Sequence, residues 1–134
     1  MPFVLDNSVV SGWYIEDQAT DYTEAIAAKL ETDRAIVPVL WQLEFANVLK
    51  TAFTRGKLDI ENARQIADTI CALPIEIDQN TPGPRQLFEL ATRYNLSSYD
   101  AAYLELAIRH GLPIACQDGK LLDAAKLAGV GIVG

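Results

Sequence analysis

Short runs of β-forming residues alternate with longer segments of helical periodicity along the whole chain. Four runs predict strands, and a fifth, shorter run closes the sequence: 3–5, 35–39, 74–78, 113–116 and 131–133. Helices are predicted at 20–32, at 40–55, from Asp59 to 73, from a loop at 81–84 to 94, from Ser97 or Ser98 to 110, and from Asp118 to 128. Strands that are separated by helices pair in parallel through crossovers. The pattern therefore predicts an α/β fold with a short parallel sheet of four to five strands flanked by helices.

A polar cluster, Asp6-Asn7-Ser8, follows the first predicted strand directly. Short polar side chains that bond to the backbone two residues further on are typical of turns. We therefore expect a turn here, with Trp13 and Tyr14 in the loop that leads to the first helix.

Neither a linker nor a change in composition divides the 134 residues, so we expect a single domain spanning 1–134. The longest apolar run has seven residues, from Ala35 to Trp41, whereas a membrane helix needs about 20. The first residues also lack the charged and apolar regions of a signal peptide. The expectation is a cytoplasmic protein without a membrane segment.

The chain has few residues that bind metals through nitrogen or sulfur. Its two cysteines, Cys71 and Cys116, lie far apart and are expected as buried free thiols. With a single histidine, the set is too small for a typical zinc site. A metal site would therefore use oxygen ligands, which favours Mg²⁺ or Mn²⁺.

The net charge is −7, from 18 acidic and 11 basic residues, and it has two interpretations. Acidic surface residues keep a protein soluble. Alternatively, some carboxylates are clustered so that they hold cations. Composition alone does not decide between these two interpretations.

Four carboxylates are predicted to meet at one edge of the sheet. Asp6 and Asp118 end the first and fourth strands, and Glu44 lies in the first turns of the helix after the second strand. Asp100 starts a helix that advances about 18 Å, and the following strand returns about 16 Å. Asp100 and Asp118 should therefore face the same end of the sheet, where ligands bind in parallel α/β folds.

Each of these acids also has a purely structural interpretation. Asp6 and Asp118 could cap helices or form turns, and Asp100 fits a capping box with Ser97. Glu44 lies in an apolar stripe, so it needs a partner, and Asn47 is the nearest candidate. Divalent cations would compensate the repulsion among these acids, and two Mg²⁺ would offset the four negative charges.

Four segments together resemble the PIN-domain family, and among its members the VapC-type toxins of bacterial toxin–antitoxin pairs. They are the residues 3–9 (FVLDNSV), 43–49 (LEFANVL), 98–107 (SYDAAYLELA) and 118–121 (DGKL), in the order and spacing of the family. The resemblance extends from residue 3 to 133. It implies a three-layer, PIN-like fold.

The resemblance also implies a function, a Mg²⁺- or Mn²⁺-dependent endoribonuclease. It implies that Asp6, Glu44, Asp100 and Asp118 are the catalytic, metal-binding acids, with Ser8 and Asn47 in supporting positions. Toxins of this type form homodimers, act on RNA and are inhibited by a cognate antitoxin whose C-terminal segment covers the acidic groove.

Two features depart from the family pattern or extend it. Cys116 stands where many relatives have a threonine, which removes a hydroxyl next to the fourth acid. Asp123, five residues after Asp118, is a candidate outer group of the site.

Two basic residues also have expected roles. Lys120 is a candidate RNA contact, and His110 is expected to complement the C-terminus of its helix.

Two other functions remain possible from the sequence. A catalytically silent PIN-like module that binds RNA or protein would fit the charge of −7 and the modest basic content. A phosphotransfer domain would fit Asp6 at a strand end, but position 8 is Ser rather than a second Asp, and no Gly-rich phosphate loop is present.

Overall fold

The computed structural model describes residues 1–15 and 19–134 and contains one parallel sheet. Its strands are β1 (Phe3–Leu5), β2 (Ala35–Pro38), β3 (Ile75–Asp78) and β4 (Ile114–Ala115), in the order β3-β2-β1-β4. Every pairing is parallel, with β1 between β2 and β4. The predicted α/β class and parallel sheet are confirmed. The fifth predicted strand is reduced to one parallel bridge between Ile132 and Ile114.

Seven helices flank this sheet in the described part of the chain. They are α1 (Asn7–Tyr14), α2 (Asp21–Lys29), α3 (Leu40–Thr54), α4 (Ile60–Cys71), α5 (Pro84–Tyr94), α6 (Ser98–His110) and α7 (Gly119–Leu127). The predicted starts of α4, α6 and α7 are confirmed, because the side chains of Asp59, Ser97 and Asp118 accept hydrogen bonds from the first turn. Across residues 1–15 and 19–134, no helix has the length and hydropathy needed to cross a bilayer.

The segment after β1 is a helix, so the predicted turn and loop were wrong. Asp6 accepts a hydrogen bond from the backbone N–H of Ser8, as an N-cap does, and α1 begins at once. The same short-range bond can start either a turn or a helix, and burial of Val9 and Val10 decides for the helix. Trp13 therefore lies on a helix, with its indole Nε1 donating to the carbonyl of Thr23.

Helix α6 is the central element of the packing. Seven consecutive residues, 101–107, are buried, and the helix contacts β1, β2, α5 and α7. A surface helix buries one stripe, whereas α6 is covered on all sides over two turns. The helix that carries Asp100 is therefore fixed firmly against the sheet.

The two cysteines differ in environment. Both are free, but Cys116 is buried and Cys71 is exposed. The prediction of two buried thiols was therefore wrong for Cys71. Helix α4 buries only one face, through Ala63 and Ile70, and the residue after Ile70 is rotated by about 100° toward solvent.

Candidate active site

Asp6 and Asp118 lie beside each other at the carboxyl edge of the sheet. They follow β1 and β4, which are hydrogen-bonded neighbours, and the N–H of Asp6 donates to the carbonyl of Ala115 over 3.0 Å. Each carboxylate also caps the helix that follows, α1 or α7. Asp6 is only 6% exposed. Capping therefore accounts for part of their hydrogen bonding, but it does not require that Asp6 be buried or that the half-buried Asp118 lie beside it.

Asp100 joins this pair from the first turn of α6. Its backbone N–H donates to the Ser97 hydroxyl over 3.1 Å, which is one half of the capping box considered above. Its carboxyl group is hydrogen-bonded to that of Asp118. The side chain thus turns toward the sheet edge, and the predicted proximity of Asp100 and Asp118 holds in the structure.

The carboxyl groups of all four acids influence one another electrostatically. Burial, the hydrogen bond and charge of Asp118, and the charges of Asp6 and Glu44 together raise the pKa of Asp100 to about 7. Burial also raises the pKa of Asp6, and the charge of Asp118 adds to this while bonds from Ser8 oppose it. Full ionisation of the cluster is therefore costly without a nearby cation.

Glu44 approaches the cluster from α3, and its partner was not the one expected. The hydroxyl of Tyr103, on α6, donates to Glu44 Oε1 over 2.6 Å. Asn47 is exposed and, among the described residues, makes no hydrogen bond to Glu44. Burial raises the pKa of Glu44, Asp6 raises it further, and the bond from Tyr103 lowers it. One signal for Tyr103 was available, since it lies one turn from Asp100 on the same helix face.

Ser8 connects Asp6 to the loop that carries Asp118. Its hydroxyl donates to Asp6 Oδ2 over 2.6 Å, and it accepts from the backbone N–H of Gln117 over 3.1 Å. The amide of Gln117 also donates to the carbonyl of Ser8 over 3.2 Å. Gln117, which sequence reasoning did not single out, therefore ties the two strand ends together through Ser8.

Cys116 supports Asp118 although it stands where the resemblance leads us to expect a threonine in many relatives. Its Sγ accepts from the N–H of Asp118 over 3.2 Å and donates to the carbonyl of Asp118 over 3.5 Å. Burial and the neighbouring acids raise the pKa of the Cys116 thiol, so it stays protonated and can donate. The thiol thus supplies the local bonding that a hydroxyl would supply.

The remaining candidates lie outside the acidic cluster. Asp123 is exposed on α7, and no described hydrogen bond links it to the four acids. Lys120 is exposed, in the first turn of the same helix. His110 lies in the last turn of α6, as expected for a residue that complements the helix C-terminus, and its Nε2 is also 2.8 Å from Asp78 Oδ2.

The donor set of the cluster fits a hard divalent cation. Carboxylate oxygens are the ligands that Mg²⁺ and Mn²⁺ prefer. Within residues 1–15 and 19–134, no three acidic, histidine or cysteine side chains are arranged to hold one ion together. The arrangement suits a cation that takes one or two carboxylates and completes its shell with water and phosphate oxygens, as Mg²⁺ commonly does.

The sequence model of the PIN domain matches residues 3–127, which include all four acids. The chain belongs to the PIN domain family. Ribonuclease VapC1 of Mycobacterium tuberculosis is 33% identical over 92 residues, covering 67% of this chain and 67% of VapC1, in both strain CDC 1551 / Oshkosh and strain ATCC 25618 / H37Rv. The resemblance of the sequence to this family is thereby confirmed.

Two solved structures share the fold over almost the whole PIN domain chain. PAE2754 from Pyrobaculum aerophilum superposes with a TM-score of 0.69 at 22% identity, covering 99% of this chain and 91% of its own. FitAcB from Neisseria gonorrhoeae gives a TM-score of 0.65 at 16% identity, covering 100% and 97%. Both likenesses support the PIN-like fold.

Proposed function

We propose that this PIN domain protein is a metal-dependent endoribonuclease and the toxin of a type II toxin–antitoxin system. One observation carries the proposal: four carboxylates from four separate segments meet at the carboxyl edge of the sheet. The similarity to ribonuclease VapC1 supports RNA as the substrate.

In this proposal, Asp6, Glu44, Asp100 and Asp118 are the carboxylates that hold Mg²⁺ or Mn²⁺, and each ion takes one or two of them and completes its shell with water and phosphate oxygens. When bound, such a cation supplies positive charge for the phosphodiester and lowers the pKa of the water that it binds. Ser8 holds Asp6 in place, and Cys116 and Gln117 hold the Asp118 loop. The supporting role that the family implies for Asn47 stays a prediction.

The cation also explains how a chain of net charge −7 can approach RNA. Phosphate contacts need positive charge, and the acidic edge alone repels a phosphate. Lys120 adds one exposed positive charge in the first turn of α7, two residues after Asp118. The metal and Lys120 together would place positive charge where the RNA backbone has to lie.

The partners proposed for the protein follow from its family. They are an RNA substrate, a second copy of the chain in a homodimer, and a cognate antitoxin that covers the acidic groove. The proposed location is the cytoplasm, where the RNA and the antitoxin are both available.

The decisive test is cleavage of total cellular RNA by purified protein freed of antitoxin, with Mn²⁺ or with EDTA. We expect cleavage that requires the metal and disappears in Asp100→Asn. Asp68→Asn, which removes an exposed carboxylate on α4, is the matched control and should cleave normally. Cleavage that survives both EDTA and Asp6→Asn/Asp100→Asn would contradict the proposal. Folded, metal-bound protein that cleaves no RNA would favour the silent binding module.

A further inference from the structure

Tyr103 makes a contact that core packing alone does not require. It is the largest fully buried side chain among the described residues, with a relative exposure of 0%. A phenylalanine would fill the same volume without bringing a hydroxyl into the interior. The hydroxyl is satisfied by a single partner, Oε1 of Glu44, at 2.6 Å. A buried hydroxyl whose one bond goes to a carboxylate of the acidic cluster indicates a role connected with that carboxylate.

Tyr103 and Glu44 belong to different helices, and their side chains differ in conformational freedom. Tyr103 lies on α6, within the run of residues that is buried on all sides, so its ring is fixed by the core. Glu44 lies on α3, is only half-buried, and has three side-chain torsions. A fixed donor that bonds a flexible carboxylate restricts it to the rotamers that keep this bond.

The bond occupies one oxygen of Glu44 and leaves the other available. Among the described residues, Oε2 has no hydrogen-bond partner. The charge of Glu44 acts on Asp100, and that of Asp6 acts on Glu44, so the carboxylate lies close to both. Oε2 is therefore the free oxygen of a carboxylate that is held near Asp6 and Asp100.

We propose that Tyr103 is a positioning residue, which fixes Glu44 through Oε1 so that Oε2 serves as a ligand of the divalent cation. This inference rests on the proposed function of the acidic cluster. Partners that orient a metal-binding group commonly contribute about 10- to 100-fold to metal affinity or activity. Tyr103 would also couple α6, which carries Asp100, to α3, which carries Glu44.

The experiment measures Mn²⁺ affinity by electron paramagnetic resonance of the free ion, with RNA cleavage as a second readout. The proteins are the wild type, Tyr103→Phe, Glu44→Gln and the double variant. We expect Tyr103→Phe to weaken Mn²⁺ binding by about 10-fold or more. In the Glu44→Gln background, Tyr103→Phe should cause no further loss, because its effect passes through Glu44.

Tyr22→Phe is the matched control. The hydroxyl of Tyr22 donates to the backbone carbonyl of Val133 over the same 2.6 Å, and it is bonded to none of the four acids. A thermal melt should show comparable stability losses for the two Tyr→Phe variants. Only Tyr103→Phe should lose Mn²⁺ affinity.

The outcomes separate this inference from the proposed function. Wild-type protein that binds no Mn²⁺ and cleaves no RNA would overturn both. Wild-type protein that binds and cleaves, with Tyr103→Phe equal to it in Mn²⁺ affinity, would overturn only the role of Tyr103. Further loss in the double variant beyond Glu44→Gln would likewise show that Tyr103 does not act through Glu44.

Discussion

Two clusters of carboxylates lie at the carboxyl ends of the parallel strands, and they differ in where their positive charge comes from. At the ends of β1 and β4, Asp6, Asp100 and Asp118 face one another, and the pKa of Asp100 is raised to about 7 by burial and by these neighbours. At the end of β3, Arg109 lies between Asp78 and Glu105.

The second cluster, formed by Asp78, Glu105, Arg109 and His110, is compensated within the chain. The guanidinium of Arg109 is 3.2 Å from Asp78 and 2.9 Å from Glu105, and both side chains are nearly buried. Burial by itself would raise the pKa of Asp78, but bonds from Arg109 and His110 outweigh it and lower the pKa to about 2.

The comparison separates carboxylates whose charge the chain itself compensates from carboxylates that the chain places among like charges. In both clusters, partly or fully buried carboxylates lie at the carboxyl edge of the sheet. In the Asp78 cluster, the chain itself supplies the cation, which fixes the end of α6 to β3. In the acidic cluster, burial and the neighbouring acids raise the pKa of Asp100 instead. In the proposed function, the compensating charge comes from a bound cation.

The largest expected difference between the clusters is in catalysis. Asp6→Asn should lower RNA cleavage by more than about 100-fold, since even the partners of metal ligands contribute about 10- to 100-fold. Asp78→Asn should leave cleavage by folded protein within about twofold, because distant sites act independently. Cleavage assays at equal folded concentration check this. Equal losses in both variants would remove the distinction.

The next largest difference between the clusters is expected in the free energy of unfolding. Arg109→Met keeps the aliphatic stem but leaves Asp78 and Glu105 without the guanidinium, so the protein should lose about 2 kcal/mol of unfolding free energy. The loss stays below that of a fully buried pair because Arg109 is 33% exposed. Urea denaturation measures it, with Arg64→Met, from an exposed pair on α4, as the control. An unchanged midpoint would show that the Asp78 cluster is not structural.

Removing a charge from the acidic cluster should change the free energy of unfolding in the opposite direction. In EDTA at pH 8, Asp100→Asn should stabilise the protein by roughly 1 kcal/mol, because it removes a half-buried charge from among like charges. A raised folded pKa means that this part of the wild-type stability is lost as pH rises from about 4 to about 7. Melting curves between pH 4 and 8 should therefore diverge for the two proteins. Parallel curves would contradict the repulsion inferred for Asp100.

The contribution of Asp78 to stability changes with pH in the reverse direction. Its folded pKa of about 2 lies below the ordinary value of 3.8, so its contribution is present above about pH 4 and lost as pH falls toward 2. Asp78→Asn should therefore lower the unfolding midpoint at pH 6 more than at pH 2.5. A constant difference between these pH values would show that ionised Asp78 makes no specific contribution.

The smallest effect is expected at Cys116. Cys116→Thr should keep cleavage within about twofold, because a hydroxyl can accept from the N–H of Asp118 and donate to its carbonyl as the thiol does. Cys116→Val removes both bonds at similar volume and should cost about 1 kcal/mol of stability and part of the activity. Equal behaviour of the Thr and Val variants would show that the bonds to the thiol are unimportant.

Much of this arrangement could be predicted from the order of strands and helices. Asp6 and Asp118 follow directly from parallel pairing, because strand ends meet at one edge, and Asp100 follows from the cancelling lengths of α6 and β4. Tyr103 could not be predicted in this way. Its bond to Glu44 joins residues 59 positions apart and depends on how α3 and α6 approach each other.

Local chemistry also left two points undecided. Asp6 bonding to Ser8 starts a turn as readily as a helix, and only the burial of Val9 and Val10 in the tertiary structure favours α1. The Asp78 cluster could not be predicted from the sequence, because Asp78 and Arg109, 31 positions apart, come together only through the packing of α6 near the end of β3. Long-range side-chain pairing, rather than backbone pattern, is what the sequence alone did not reveal.

The most direct test of the distinction between the clusters is calorimetric titration of Mn²⁺ into the purified protein, Asp100→Asn and Asp78→Asn. We predict that the wild type and Asp78→Asn bind the ion with similar affinity and that Asp100→Asn loses most of this binding. Equal binding by Asp100→Asn and the wild type, or loss only in Asp78→Asn, would contradict the assignment of the acidic cluster as the cation site.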